Sequence, residues 1–265
     1  MKFGEVYTKY WSSAVNKSVD GTVIAGVNEA KHFLQYLGIN REDRTLDLGC
    51  SFGRMHEALA VYSDQIFGID PDSYAVEKAC LQPYKEVRQG TAEHTGFDKN
   101  FFDVVFCWAV FDVVDHKKGL AEINRILKKG GKLLLTGKND NYSPDDNLAY
   151  KAEKNAFLKA FPNKFTDLSA VLGNFNNLGF DLDKLFIFPC RGDFGLLNFV
   201  DQGNDPRDSY RGYDYLILCH KVADQNVAGS AGVNLENPFS KTAIAMATQA
   251  GFSSPKEFFE SIGID

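Results

Sequence analysis

The stretch that most restricts how this chain can fold is Arg44-Thr45-Leu46-Asp47-Leu48-Gly49-Cys50-Ser51-Phe52-Gly53. Thr45 to Leu48 suit a short buried strand, Gly49 and Gly53 permit a tight turn, and Arg54 to Ala60 have the character of a helix start. A strand that enters a helix through a glycine turn is one corner of a βαβ unit. Such units stack into a parallel sheet whose ligand crevice lies at the carboxyl ends of the strands.

Two nucleotide-type ligands use such a corner, and spacing separates them. A dinucleotide fingerprint is G-x-G-x-x-G, with the pyrophosphate on the helix N-terminus. Here the order is Asp47-x-Gly49-x-x-x-Gly53. A carboxylate at the strand end, just ahead of the first glycine, repels a pyrophosphate and attracts a cation. A second apolar run, Gln65 to Ile69, ends at Asp70, about twenty positions after Gly49, where a carboxylate can hold ribose hydroxyls. A positively charged nucleoside, S-adenosylmethionine, satisfies both acids.

With these motifs in order, the chain resembles a class I S-adenosylmethionine-dependent methyltransferase of the small-molecule type over roughly Gly26 to Val222. The resemblance implies a Rossmann-like, doubly wound α/β sheet of about seven strands, mostly parallel with an antiparallel last strand. It implies that the loop of Asp47, Gly49, Cys50, Ser51 and Gly53 cradles the methionine part of the cofactor and that Asp70, with Pro71, holds the ribose. Gly90-Thr91-Ala92-Glu93 resembles the adenine-binding segment after strand three, with Thr91 where an Asp often stands; Thr91, Ala92 and Glu93 are the expected contacts. Phe101 to Cys107 resembles strand four, and Cys107-Trp108 with the loop beyond faces the transferable methyl group.

Composition limits the alternatives. The 265 residues, 44% hydrophobic, are enough for one domain with additions. No apolar run approaches a membrane span and no signal peptide stands at the N-terminus, so a cytoplasmic protein is expected. Five cysteines without a C-x-x-C pair speak against disulfide staples and a metal cluster; no metal is expected. A net charge of −6 without a basic block disfavours nucleic acid and anionic membranes as partners, leaving a small molecule, with a homodimer open.

Along the chain, residues 1–25 are expected to form an N-terminal helical lid, with Tyr7, Tyr10 and Trp11 on a face that either packs on the sheet or covers substrate. Residues 26–222 form the cofactor-binding domain, with strands at Tyr84 to Gln89, Lys132 to Gly137, Lys184 to Phe188 and Tyr213 to His220. Helices are expected over Leu148 to Phe161 and Thr166 to Leu178, a substrate-binding insertion after strand five. Residues 223–265 read as a linker followed by a helical extension that docks, dimerises or moves freely.

For chemistry, Asp112 in the loop after strand four is the expected general base and His116 the second candidate. A capping or solvated carboxylate is the structural alternative for Asp112, and a helix start for His116. Arg191, Arg207 and Arg211, in the long loop before the last strand, are candidates to hold an anionic group, or else pair with neighbouring aspartates. The expected activity is methyl transfer from S-adenosylmethionine to oxygen of a small polar metabolite, such as a nucleotide-linked or polysaccharide precursor. The alternatives are transfer of another group from a related cofactor, and a partner subunit that binds the cofactor without catalysis.

Overall fold

The structure is a computed structural model that describes residues 26–204, 210–226, 229 and 232–263. The lid expected over residues 1–25, with Tyr7, Tyr10 and Trp11, lies outside the described residues, as does Arg207.

The strands are β1 (Arg44–Leu48), β2 (Gln65–Asp70), β3 (Glu86–Gln89), β4 (Phe102–Cys107), β5 (Leu127–Lys138), β6 (Phe165–Thr166), β7 (Phe180–Phe188), β8 (Val200–Asp201), β9 (Asp214–Lys221) and β10 (Glu236–Asn237). Among the described residues, eight of them form one sheet in the order β3-β2-β1-β4-β5-β9-β7-β8. β1 to β5 are mutually parallel, whereas β9 pairs antiparallel with both β5 and β7. The order reverses between β1 and β4, and such a reversal opens a crevice at the carboxyl edge.

Both faces are covered, which is why the strands are apolar almost throughout. On one face the helix Val27–Leu34 packs Phe33 and Leu34 against Phe106, Leu134, Phe186, Phe188, Leu216 and Leu218. On the other, the helix His116–Ile126 and the short helices Leu168–Gly173 and Phe175–Leu178 bury Leu120, Ile123, Val171 and Leu178 against Val105, Leu133, Leu135 and Ile217. The alternation between the two clusters along each strand is the period-two signature of a sheet buried on both sides.

The sequence-based boundaries shift in three places. Phe165–Thr166 is a strand rather than the start of a helix, and the helix expected over Thr166 to Leu178 breaks into two at Asn174. The long loop before β9 contains a helical turn, Asp193–Leu196, and the edge strand β8. The stretch read as a linker returns to the body: Leu235 is buried and β10 pairs with β6.

The insertion after β5 and the C-terminal extension form one cap. The helix Asn147–Leu158 meets the extension through rings, Phe157 lying 5.3 Å from Phe239, which precedes the helix Lys241–Gln249, and 5.9 Å from Phe259 of the helix Pro255–Ile262. At its centre the buried Glu153 accepts hydrogen bonds from the Tyr142 hydroxyl (2.6 Å), the Ser240 N–H (2.8 Å) and the Ser240 hydroxyl (2.7 Å). Three donors on one carboxylate satisfy a group that burial alone would penalise. Among the described residues no helix is long and apolar enough to cross a membrane.

Candidate functional site

The turn after β1 is held to the end of β2 by its own backbone. The N–H groups of Gly49 and Cys50 both reach the Ile69 carbonyl at 2.9 Å, and the Ser51 N–H donates to the Asp70 carboxylate at 2.9 Å. Gly49 has φ 79°, and a Cβ there would run into the Val110 side chain from the β4 loop. Glycine is therefore required both for its conformation and for the close approach of the two loops. Ser51 (φ 50°) and Ala109 (φ 56°) also sit in the left-handed region, one in each loop. Non-glycine residues in that region gather where a loop is shaped for a ligand.

Two carboxylates lie beneath this turn. Asp47 is buried and accepts a 2.6 Å hydrogen bond from the Tyr84 hydroxyl. Burial pushes its carboxyl up to about 7, against the Tyr84 donor and with the nearby Asp70 charge adding to the rise. Asp70 is equally enclosed, and burial lifts it to about 6 although the N–H groups of Asp72 and Ser51 pull the other way. Two carboxylates so placed on adjoining strands need a cation or hydroxyl donors to ionise comfortably. That pair of acceptors fits the ammonium, sulfonium and ribose hydroxyls of S-adenosylmethionine and opposes a pyrophosphate.

The remaining expected contacts take distinct places. The Cys50 side chain is buried beside Gly68, and Pro71 follows Asp70 with its carbonyl bonded to Gln89 Nε2 at 3.1 Å. Thr91 is exposed on the turn after β3, Ala92 is buried beside it, and Glu93 accepts from the Asp115 N–H at 2.9 Å, tying that turn to the β4 loop. Cys107 is fully buried in the core on the far face from Asp47, while Trp108 stacks on Phe106 (5.5 Å, 9° between planes) and meets the Phe194 ring edge-on at 4.9 Å.

The two candidate bases each sit with structural partners. Asp112 forms an ion pair with the Lys138 ammonium at 2.5 Å, so its carboxylate is committed to a partner. His116 is completely buried; its ring stacks on Phe111 at 4.0 Å, with Nε2 2.9 Å from the Phe111 carbonyl and Nδ1 3.3 Å from that of Leu235. Burial lowers its pKa, against the pull of Glu236, and it belongs to the cap junction rather than the crevice.

The arginines divide as well. The Arg191 side chain is exposed at the crevice rim with its guanidinium carbon 5.9 Å from the Tyr213 ring, while its N–H donates to Asp146 at 2.7 Å. Arg211 is exposed nearby in sequence to Tyr213.

Several residues of the site escaped sequence reading. Tyr84 orients Asp47 from the loop before β3, Thr136 receives the Ala109 N–H at 2.8 Å, and Lys138 faces Asp214 across the β5–β9 ladder. Burial pushes the Asp214 carboxyl up to about 7, against the Lys138 charge. For Lys138 burial acts downward, and Asp112 more than reverses it. The available signal was polar residues at strand ends on the ligand edge, legible only once the antiparallel register is known.

Comparison with known proteins points to methyltransferases. Residues 46–135 match the family described as a methyltransferase domain. An uncharacterized methyltransferase, YcgJ of Bacillus subtilis, is 34% identical over 112 residues, 40% of this chain and 43% of that protein. A demethylmenaquinone methyltransferase of Lactobacillus johnsonii is 28% identical over 144 residues, 50% of this chain and 57% of the relative. The chain thus spans about half the length of the curated relatives it matches. Among solved structures, a Thermotoga maritima S-adenosylmethionine-dependent methyltransferase, described as a possible histamine N-methyltransferase, superposes with a TM-score of 0.60 at 19% identity, covering 83% of this chain and all (100%) of that one. The crystal structure of YcgJ gives a TM-score of 0.56 at 18% identity, over 74% of this chain and 99% of that one.

Proposed function

We propose that this chain, which carries a class I S-adenosylmethionine-dependent methyltransferase domain, transfers a methyl group from that cofactor to oxygen of a small anionic acceptor. The reading rests foremost on Asp47 and Asp70, two enclosed carboxylates on adjoining strand ends beneath a glycine turn. When bound, S-adenosylmethionine supplies a methyl group on a positively charged sulfur, ready for in-line displacement.

The chain's own residues then bind and orient. Asp47, steadied by Tyr84, takes the ammonium; Asp70 takes the ribose hydroxyls; Gly49 leaves room for the chain between them. Placement of the acceptor behind the methyl group is worth about 7–11 kcal/mol. Trp108 and the β4 loop shape that space and exclude water.

Arg191 at the rim favours an acceptor with a carboxylate or phosphate, because a guanidinium fork matches either. Nucleotide-linked and glycan precursors share that chemistry with simpler hydroxy acids. The test is mass-spectrometric detection of S-adenosylhomocysteine from the purified protein and S-adenosylmethionine across a panel of anionic hydroxyl compounds and amines. Product that depends on a hydroxyl acceptor supports the reading, and product with amines alone refutes oxygen as the target.

A further inference from the structure

The register of the sheet fixes a row of side chains at its carboxyl edge. On the face that carries Phe106, Leu134, Leu216 and Phe188, the row runs from Trp108 after β4 to Lys138 at the end of β5 and Asp214 opposite it at the start of β9. Phe188 of β7 pairs with Asp214 on the far side. Phe194 touches both ends of the row, its ring centroid 4.9 Å from Trp108 and 4.3 Å from Phe188. Four strands span about 14 Å at the usual spacing, so this one ring lies across the strands that carry Lys138 and Asp214.

Along that row the charges are unequal in their commitments. Lys138 holds Asp112 at 2.5 Å and the Asn163 side-chain oxygen at 2.6 Å. Asp214 is enclosed by the fold yet keeps accessible surface, and among the described residues no group donates a hydrogen bond to its carboxylate. The charged and titratable groups around it are Lys138 from β5, Asp112 from the β4 loop, Arg191 after β7, Asp146 before the cap helix, and Tyr213 beside it.

We propose that Asp214 takes the proton of a phenol-type hydroxyl on the methyl acceptor, with Lys138 facing the same oxygen and Asp112 acting as the positioning residue that holds Lys138. The inference rests on the methyltransferase reading above and names its acceptor class. A protonated amine in this place meets the Lys138 ammonium, whereas an oxygen gaining negative charge is stabilised by it. A carboxylate is too weak a base for an alkyl alcohol, and a phenol lies closer to its reach. Trp108 and Phe194 offer a flat ring edge-to-face contact, and Arg191 at the rim takes an anionic substituent. As the oxygen–methyl bond forms, the methyl–sulfur bond breaks and its electron pair stays on sulfur, giving a neutral thioether. The hydroxyl proton passes to the Asp214 carboxylate, which becomes a neutral carboxyl, so charge balances.

The test uses 4-hydroxybenzoate as the probe, titrated calorimetrically into the full chain loaded with S-adenosylhomocysteine. The wild type binds it, with affinity rising between about pH 6 and 8 as Asp214 ionises, while the phenol stays protonated. Asp214→Asn lowers the affinity by at least about tenfold and flattens the pH profile, with S-adenosylhomocysteine binding unchanged. Should that variant misfold, Asp214→Glu, which keeps the carboxylate, retains the sloped profile. A flat wild-type profile, equal affinity in Asp214→Asn or no probe binding overturns this inference alone. Failure of S-adenosylhomocysteine to bind the wild type overturns the cofactor reading and this inference with it.

Discussion

Gly49 shows how much a single residue carries at this site. Its positive φ and the Val110 side chain against it leave no room for a methyl group, so Gly49→Ala must move either the turn or the β4 loop. Strain of about 1–3 kcal/mol at a binding turn predicts a loss of about tenfold or more in S-adenosylmethionine affinity by calorimetry. Tyr84 acts more subtly, because its hydroxyl donates to the charged form of Asp47. Tyr84→Phe removes that donor, so the Asp47 carboxyl rises further from its already elevated value near 7. The expected outcome is weaker cofactor binding at neutral pH that recovers in alkaline buffer; a pH-independent loss contradicts the assigned role. The position of Asp47 at the end of β1, just ahead of the glycine turn, was legible from the sequence. Tyr84 was not, because nothing in the local pattern tells which strand end its hydroxyl meets.

At the scale of elements, the βαβ pattern gave away the parallel half of the sheet, most clearly at β1 and β2, apolar runs closed by Gly49 and Asp70. The cap was harder to read. Phe165–Thr166 and Glu236–Asn237 are two-residue strands far apart in sequence, too short for a period of two to register, and they exist because each pairs with the other. The same holds for Lys138 and Asp214, which meet only through the antiparallel β5–β9 ladder. His116 takes the structural alternative that the sequence allowed, a helix start; what the sequence did not show is that the carbonyls of Phe111 and Leu235, from separate segments, enclose its ring. The cap also gives a prediction. Glu153→Ala leaves the Tyr142 hydroxyl and the Ser240 N–H and hydroxyl without their acceptor. The cost is about 2–4 kcal/mol, read as a lowered midpoint in thermal or denaturant unfolding. An unchanged midpoint removes Glu153 as the anchor of the C-terminal extension.

For the whole molecule, the crevice is a store of negative charge that folding must enclose. Burial pushes Asp47 and Asp214 up to about 7 and Asp70 up to about 6, all above the ordinary value of 3.8. A carboxyl whose folded pKa is raised adds stability that is fully present below its unfolded pKa and is lost as pH rises through the folded value. The lowered imidazoles of His56 and His116 work in the opposite sense, below their ordinary 6.5. Between about pH 6.5 and 8 the carboxyls therefore dominate, and the unliganded protein loses thermal stability across that interval. Asp47→Asn flattens part of the slope, and a rising midpoint over the same interval contradicts the assignment. A bound cation reverses the penalty, since it pairs with the ionised form of Asp47. The most direct measurement is calorimetric titration of the full chain at slightly alkaline pH with S-adenosylmethionine and, separately, with NAD. S-adenosylmethionine should bind and its affinity collapse in the Asp47→Asn, Asp70→Asn double variant, with no heat from NAD. Binding of NAD without S-adenosylmethionine, or an undiminished affinity in the double variant, contradicts the claim that paired acids at adjoining strand ends choose the ligand.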